Sequence, residues 1–311
     1  MSFLALFLAA SAALSLGQAE TNPLPVNRLI FGGDVMLSRH VYRVAQQQKD
    51  PAFPFREIAR EFASADLAFV NLESPFAATG PYFENRMVFR ANPSMVEGLK
   101  LAGIDIVSTA NNHVRDAGAQ GIGFTLELLE RNGIKAVGTA LRPEDVHQGV
   151  VIERKGVRFG FLAYTADQRN GNHADTDDRV AMLEESAMIA GIQALRKRCD
   201  AVVVSMHAGW EYWTKPNAMQ IRMSRAAIDA GASVVVGHHS HMAQPVEWYK
   251  NGVIFYSLGN LVFDQYHLKP AGQGVIGEVI FAGRNVAAYQ ALDIEIHKTV
   301  PKLSTRALAN R

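Results

Sequence analysis

The sequence predicts an α/β domain around a largely buried sheet, and three observations carry that expectation. Seven apolar, β-branched runs bounded by loop residues alternate with five amphipathic stretches after Thr21. Apolar residues make up 48% of the 311 and charged residues 20%, which suits a sizeable packed core and not a disordered chain. Polar side chains of metal-ligand type gather where the runs end, the position at which open α/β sheets bind their ligands.

In chain order the runs are "RLIFGGD", "DLAFVNLES", "IDIVSTANNH", "VRFGFLAYT", "AVVVSMHAG", "ASVVVGHHSH" and "GVIFYSLGN". Their nearly continuous apolar character fits strands covered on both faces. Between them, "PFREIAREFAS", "NPSMVEGLKLAG", "GIGFTLELLERNG", "EESAMIAGIQALRKR" and "AMQIRMSRAAIDAG" carry helical spacing. Several close on Gly after a polar or basic turn, as helix C-termini do. "GEVIFAGRNVAAYQALDIEIHKTV" alternates in the manner of antiparallel strands that close a sheet edge. The domain is expected over residues 26–298, with 299–311 a short frayed tail. "DQRNGNHADTDD" reads as a polar, turn-rich loop in which His173 is a solvated residue.

At the start, "MSFLALFLAASAALSLGQAE" joins an apolar segment to Gly17-Gln18-Ala19, a small-x-small pattern that suits signal cleavage. Residues 1–19 read as a cleaved export signal, with an uncleaved N-terminal anchor as the alternative. The apolar length is short of the roughly 20 residues that a spanning helix needs. A net charge of +1 with no long basic block argues against a nucleic-acid partner. Cys199 is the single cysteine, which excludes an intrachain disulfide and leaves a packing residue.

The run ends supply one kind of residue again and again. Asp34 ends the first; Asn71 and Glu73 end the second; Asn111, Asn112 and His113 end the third, with Asp116 just beyond. His207 and Glu211 follow "AVVVSM", and His238, His239 and His241 follow "SVVVG". Singly, Asp34 is a turn or N-cap residue, Asn111-Asn112 a turn, His207 a bonded core histidine and Glu73 a loop residue. Each costs free energy to bury unpaired, so their recurrence needs a common reason. Carboxylate, amide oxygen and imidazole together form a ligand set for one or two divalent ions such as Mn, Fe or Zn. Asp116, Glu211 or Glu247 could orient the ligating histidines.

"GGDVMLSR", "FVNLESP", "FRANP", "ANNHVRDAGAQGI", "HAGWEY", "GHHSHMAQPVE" and "YSLGNLVFD" together resemble the poly-γ-glutamate capsule biosynthesis family, the CapA-type proteins. The resemblance runs from Gly32 to Asp264. It implies a calcineurin-like metallophosphoesterase fold, a two-sheet β-sandwich of mixed strands flanked by helices. It also implies a metal set of Asp34, Glu73 as bridge, Asn112, His207, His239 and His241, with His238 the spare. His113 would then be the proton donor, oriented by Asp116. Met36 stands where the wider superfamily has a ligand histidine.

The function so implied is that of an exported, periplasmic or cell-envelope protein of capsule biosynthesis with a metal-dependent, phosphoesterase-like hydrolase site. The alternative is a non-catalytic envelope protein that binds or escorts an anionic polymer. The substrate is expected to be an anionic small molecule or polymer, and the partners membrane capsule-assembly proteins. Arg39 and Arg90 could grip such a substrate through forked hydrogen bonds, with Glu211 a further contact. Trp210, Tyr212 and Trp213 read equally well as a substrate rim and as core packing.

Overall fold

The computed structural model describes residues 24–83, 87–265 and 269–304, so the export-signal reading of residues 1–19 lies outside the described residues. The chain begins β1 (Val26–Val35), α1 (Arg39–Gln47), α2 (Ala59–Ala63), β2 (Leu67–Leu72), α3 (Val96–Leu101), β3 (Ile106–Ser108), α4 (Ala119–Arg131) and β4 (Lys135–Val137). It continues through β5 (Val150–Arg154), β6 (Val157–Thr165), α5 (Glu185–Arg196), β7 (Ala201–His207), α6 (Ala218–Asp229) and β8 (Val234–His238). Last come β9 (Val246–Tyr249), β10 (Gly252–Phe255), β11 (Asn260–Val262), β12 (Gln273–Ala282), β13 (Asn285–His297) and β14 (Val300–Leu303).

These strands form two mixed sheets, ordered β14-β13-β12-β1-β2-β3-β4 and β5-β6-β7-β8-β10-β9, with β11 joining β1 in the first. The two-residue side-chain period of a strand explains the layering. Leu29, Phe31 and Phe69 of one sheet face Phe161, Val203, Val236 and Phe255 of the other in a single core. Phe69 and Phe161 stack across it with centroids 6.2 Å apart. The alternate positions face outward. Ile30 and Val70 pack on Val41, Phe62 and Leu99 of α1, α2 and α3. Leu162, Tyr164, Val202 and Val204 pack on Met188, Ile192 and Met223 of α5 and α6. The result is a sandwich of two sheets between helical layers, as the resemblance implies.

Several elements differ from their sequence patterns. In "PFREIAREFAS" only Ala59–Ala63 is α-helical, because a 3-10 turn at Phe53–Phe55 places Pro54 before the helix. Helix α1 begins at Ser38 without a side-chain cap, so it carries no start signal. Strands β5 and β9 are half-exposed sheet edges, with little apolar pattern to reveal them. "GVIFYSLGN" is not one strand: β10 stays in the second sheet, while β11 crosses to the first and pairs Asn260 with Asp34.

The expected tail boundary at 298 also moves. Val300–Leu303 pairs with β13 through a two-residue turn, Lys298-Thr299, both with positive φ. That is hairpin turn geometry without the usual Asn-Gly signal. Residues 305–311 of that tail lie outside the described residues.

Candidate metal centre

Parallel strands of both sheets deliver their C-terminal ends to one edge of the sandwich. In β1 Asp34 sits in register with Asn71 of β2 and Asn260 of β11. In the second sheet His207 is in register with Thr165 and His238. Two glycines let the backbones close in. A Cβ on Gly33 would lie 2.0 Å from the Gly259 carbonyl oxygen, and one on Gly237 would lie 1.9 Å from that of Tyr256. Asp34 N–H donates to the same Gly259 carbonyl at 2.9 Å, which fixes the end of β1.

Asp34 then meets the second sheet directly. Its carboxylate accepts from Asn71 Nδ2 at 2.9 Å and from the His239 N–H at 3.2 Å. His238 Nδ1 lies 3.3 Å from one of its oxygens and His241 Nδ1 3.4 Å from the other. Asn71 Nδ2 also reaches His207 Nδ1 at 3.3 Å and Glu73 Oε2 at 3.4 Å. His207 Nε2 is 2.8 Å from Asn112 Oδ1 and 3.1 Å from His239 Nδ1. Asp34, Glu73, Asn112, His207, His239 and His241 therefore converge, and so does His238. Asp34, Glu73 and His207 each offer one ligand atom within 4.8 Å of the others.

His239 and His241 come together through a turn and not through strand alternation, since their φ angles are 89° and 57°. Left-handed conformations at non-glycine residues cost of order 1–3 kcal/mol each and gather at functional sites. The imidazole of His241 is oriented by Asn260, whose Oδ1 lies 2.9 Å from Nδ1. Glu247, one candidate for such an orienting role, instead pairs with Arg225 and the Tyr256 hydroxyl. Its place on the edge strand β9 takes it away from the histidines.

Beside the centre stands His113. Its Nδ1 is 2.6 Å from Asp116 Oδ2, and its ring stacks on Phe89 with centroids 3.7 Å apart. Asp116 Oδ2 also accepts the Phe89 N–H at 2.6 Å, so one carboxylate holds both rings. Asn111 serves as scaffold: it donates to the Leu72 carbonyl at 2.9 Å and accepts the His113 N–H at 3.1 Å.

The protonation pattern follows from burial. Burial pushes the Asp34 carboxyl up, but hydrogen bonds and positive charge from the facing histidines outweigh it and hold it well below the carboxylate range. For Glu73 burial and the negative charges of Asp34 and Glu211 act together and raise it well above that range. Burial lowers His113 against the pull of Asp116. Burial also lowers His207, and it takes His239 down to about 4 with help from His241. Neutral imidazoles and closely spaced carboxylates are what a divalent cation requires.

Unsatisfied atoms point the same way. Glu73 Oε1 and His238 Nε2 find no hydrogen-bond partner among the described residues, although both are buried, and His238 Nδ1 has only its approach to Asp34 at 3.3 Å. Glu73 Oε1 lies 3.9 Å from the Nε2 atoms of both His113 and His241. A buried polar atom without a partner costs about 1–3 kcal/mol, and a cation among these groups would remove that cost. The donor set fits a hard or borderline divalent metal.

The expected substrate contacts fare differently. Arg39 spends its guanidinium fork on Asp264 and lies over the Phe89 ring, 4.7 Å from its centroid. It therefore braces Phe89 behind His113 and holds no free fork for an anion. Arg90 is half-buried next to Phe89, and Glu211 is half-buried with its charge felt at His113 and His239. Trp210, Tyr212 and Trp213 are about half exposed, at 53%, 45% and 54%, so they are not core. Met36 is buried in the outer cluster, with its sulfur 3.1 Å from the Ser38 hydroxyl. Cys199 packs in the core, and its thiol donates to the Leu195 carbonyl. Asn260 is not among the residues expected at the site, and Asn71, expected only as one of the strand-end residues of ligand type, contacts Asp34, Glu73 and His207 at its centre.

Comparison with known proteins identifies the family and the fold. The family described as bacterial capsule synthesis protein PGA_cap matches residues 28–265. PGA biosynthesis protein CapA of Bacillus subtilis is 31% identical over 287 residues, covering 87% of this chain and 72% of that protein. Capsule biosynthesis protein CapA of Bacillus anthracis is 30% identical over 268 residues, covering 79% of this chain and 65% of that protein. The chain thus spans part of the length of these relatives. Among solved structures, a hypothetical protein from Thermus thermophilus superposes with a TM-score of 0.54 at 16% identity, covering 86% of this chain and 99% of that one. A candidate 5'-nucleotidase from Staphylococcus aureus gives 0.52 at 12% identity, covering 86% of this chain and 54% of that one. The fold is that of the calcineurin-like metallophosphoesterases, and the chain belongs to the PGA_cap family of bacterial capsule synthesis proteins.

Proposed function

We propose that this chain is a metal-dependent hydrolase of the phosphoesterase type that acts in poly-γ-glutamate capsule synthesis or export. The observation that carries the reading is the buried set of Asp34, Glu73 and His207, with ligand atoms within 4.8 Å of one another, beside the His113–Asp116 dyad. Asp34, Glu73, Asn112, His207, His239 and His241 would hold the ion or ions. A divalent cation bound there supplies Lewis-acid polarisation of a phosphoryl or acyl oxygen and neutralises developing charge. As the imidazolium, His113 donates a proton to the departing oxygen or nitrogen from Nε2, while Asp116 accepts the Nδ1–H, orients the ring and stabilises that charge. Phe89, stacked on the ring, keeps Nε2 aimed past Glu73.

The substrate class is an anionic phosphoester or a γ-glutamyl amide, acted on in the cell envelope next to membrane capsule-assembly proteins. Among the described residues no helix is long and apolar enough to cross a membrane. The test is hydrolysis of model phosphoesters and of γ-glutamyl oligomers by purified protein supplied with Mn or Zn, alongside elemental analysis. Protein that takes up no metal and cleaves neither substrate would end the reading.

Polymer binding without turnover is the second reading, favoured by the exposed Trp210 and Trp213, whose rings pack edge to face at 4.6 Å. Exposed aromatic rings offer apolar surface for an extended chain to lie against. Retention of poly-γ-glutamate by a His113→Ala variant that has lost all turnover separates binding from catalysis.

A further inference from the structure

Asn260 opens β11 in register with Asp34, and its side chain is fully buried between a carbonyl, an amide and an imidazole. Its Nδ2 donates to the Ala271 carbonyl at 3.1 Å and to Gln265 Oε1 at 3.2 Å, and its Oδ1 lies 2.9 Å from His241 Nδ1. A backbone carbonyl can only accept, so the atom beside Ala271 must be the amide nitrogen. The flipped amide would set Oδ1 against that carbonyl and leave a buried oxygen without a donor. Gln265 is fixed in turn: its Oε1 faces Asn260, and its Nε2 donates to the half-exposed Tyr212 hydroxyl at 3.0 Å. One backbone carbonyl therefore sets the direction of this chain of bonds, from Tyr212 at the rim to His241 at the centre.

The consequence falls on His241. The other polar atom near its Nδ1, Asp34 Oδ2 at 3.4 Å, is an acceptor as well. A nitrogen between two acceptors carries the proton, and a neutral imidazole then keeps its lone pair at Nε2. That nitrogen lies 3.9 Å from Glu73 Oε1, the buried carboxylate oxygen without a hydrogen-bond partner. Two electron-rich atoms so close, both buried, suit a shared cation. We propose that Asn260 is a positioning residue: it holds His241 as the Nδ1–H tautomer, so that the lone pair at Nε2 is the one offered to a divalent ion. This deepens the metal-centre reading and rests on it.

Nitrogen NMR of the histidine rings tests it without turnover, on the full chain, chelator-treated and held above the ordinary range of imidazole titration. The His241 signals are assigned by their loss in His241→Gln. The wild type should show His241 protonated at Nδ1 and bare at Nε2. Asn260→Leu should mix the two tautomers and weaken Zn binding by about 10- to 100-fold, the usual loss when the outer partner of a ligating histidine goes. Asn260→Asp, which keeps an acceptor at Nδ1, should restore the Nδ1–H form, whereas repair of packing alone would not. A wild-type His241 protonated at Nε2, or an Asn260→Leu variant with the wild-type tautomer and Zn affinity, overturns the proposal. Should Asn260→Leu fail to fold, the wild-type and Asn260→Asp spectra still decide. A wild-type protein that shows the Nδ1–H form and binds Zn but cleaves no phosphoester would sink the hydrolase reading and leave this assignment standing.

Discussion

His207 Nε2 lies 2.8 Å from the side-chain oxygen of Asn112, a contact that ties the end of β7 in one sheet to the loop after β3 in the other. The Asn71 amide makes a second such tie to His207, and the Asp34 carboxylate a third to His239. An ion held there would clamp the sandwich, because it binds the folded chain and not the dispersed residues of the unfolded one. At a hundred times its dissociation constant, such a ligand stabilises by about 2.7 kcal/mol. Mn or Zn should therefore raise the melting temperature by several degrees, and a chelator should reverse the gain. Asp34→Asn should lose most of the shift; an undiminished shift in that variant would place the ion elsewhere.

Removing the proton donor should separate chemistry from metal binding. His113→Ala is expected to lower kcat by roughly 10²–10⁴-fold, the usual range for loss of general acid catalysis. Its metal-dependent melting shift should persist, since the ligand set is intact. Asp116→Asn should lower kcat less, while also loosening Phe89, whose N–H it holds. Steady-state kinetics on a model phosphoester decides the matter, and wild-type kcat in His113→Ala would remove the assigned role.

Close approach at Gly237 makes a structural prediction. An alanine methyl group there would sit 1.9 Å from the Tyr256 carbonyl oxygen, so the backbones of β8 and the segment after β10 must part. Overpacking of this kind costs about 1–3 kcal/mol or somewhat more. Gly237→Ala should lower the urea midpoint accordingly and weaken metal uptake, because His238, His239 and His241 follow directly. Gly133→Ala, where the added carbon meets nothing within 4 Å, should be milder and cost only its backbone strain. Equal effects at the two positions would mean that the contact at Gly237 relaxes freely.

Much of this centre is legible in the sequence because strand ends are legible. Asp34, Glu73, His207 and the histidine trio each follow a β-branched run, and in the fold those runs terminate at one edge. The rest depends on contacts that have no local pattern. Asn260 reaches His241 only because the chain changes sheets after Phe255, and no periodicity reports a change of sheet. Asn170, whose Nδ2 lies within 3.3 Å of both ring nitrogens of His113, sits in a loop whose polarity suits solvent as well. Arg39 is a free cation by its residue type, and only the fold shows that Asp264 has claimed it. The edge strands β5 and β9 are half-polar, so they resemble loops until they are paired.

The pH dependence of the metal-free protein follows from the same burial. Burial, the largest influence on each, lowers the titration of His113, His207 and His239, the last to about 4, from an ordinary value of 6.5. As pH falls below 6.5 the unfolded chain takes up protons that the native state declines. More protons bound to the unfolded state means that stability falls as pH falls, through a window reaching down to about 4 for His239. Glu73 opposes this. Burial and the charge of Asp34 raise it above 4.5, so its contribution is present at low pH and is lost as pH rises. Three histidines against one carboxyl leave a net loss of stability on acidification. The urea midpoint of chelator-treated protein should drop between about pH 7 and pH 5, and Glu73→Gln should steepen the drop by removing the opposing group. A midpoint that rises over that interval in Glu73→Gln as well would mean that the native state binds protons at least as readily as the unfolded chain, so that burial does not keep these imidazoles neutral for a cation.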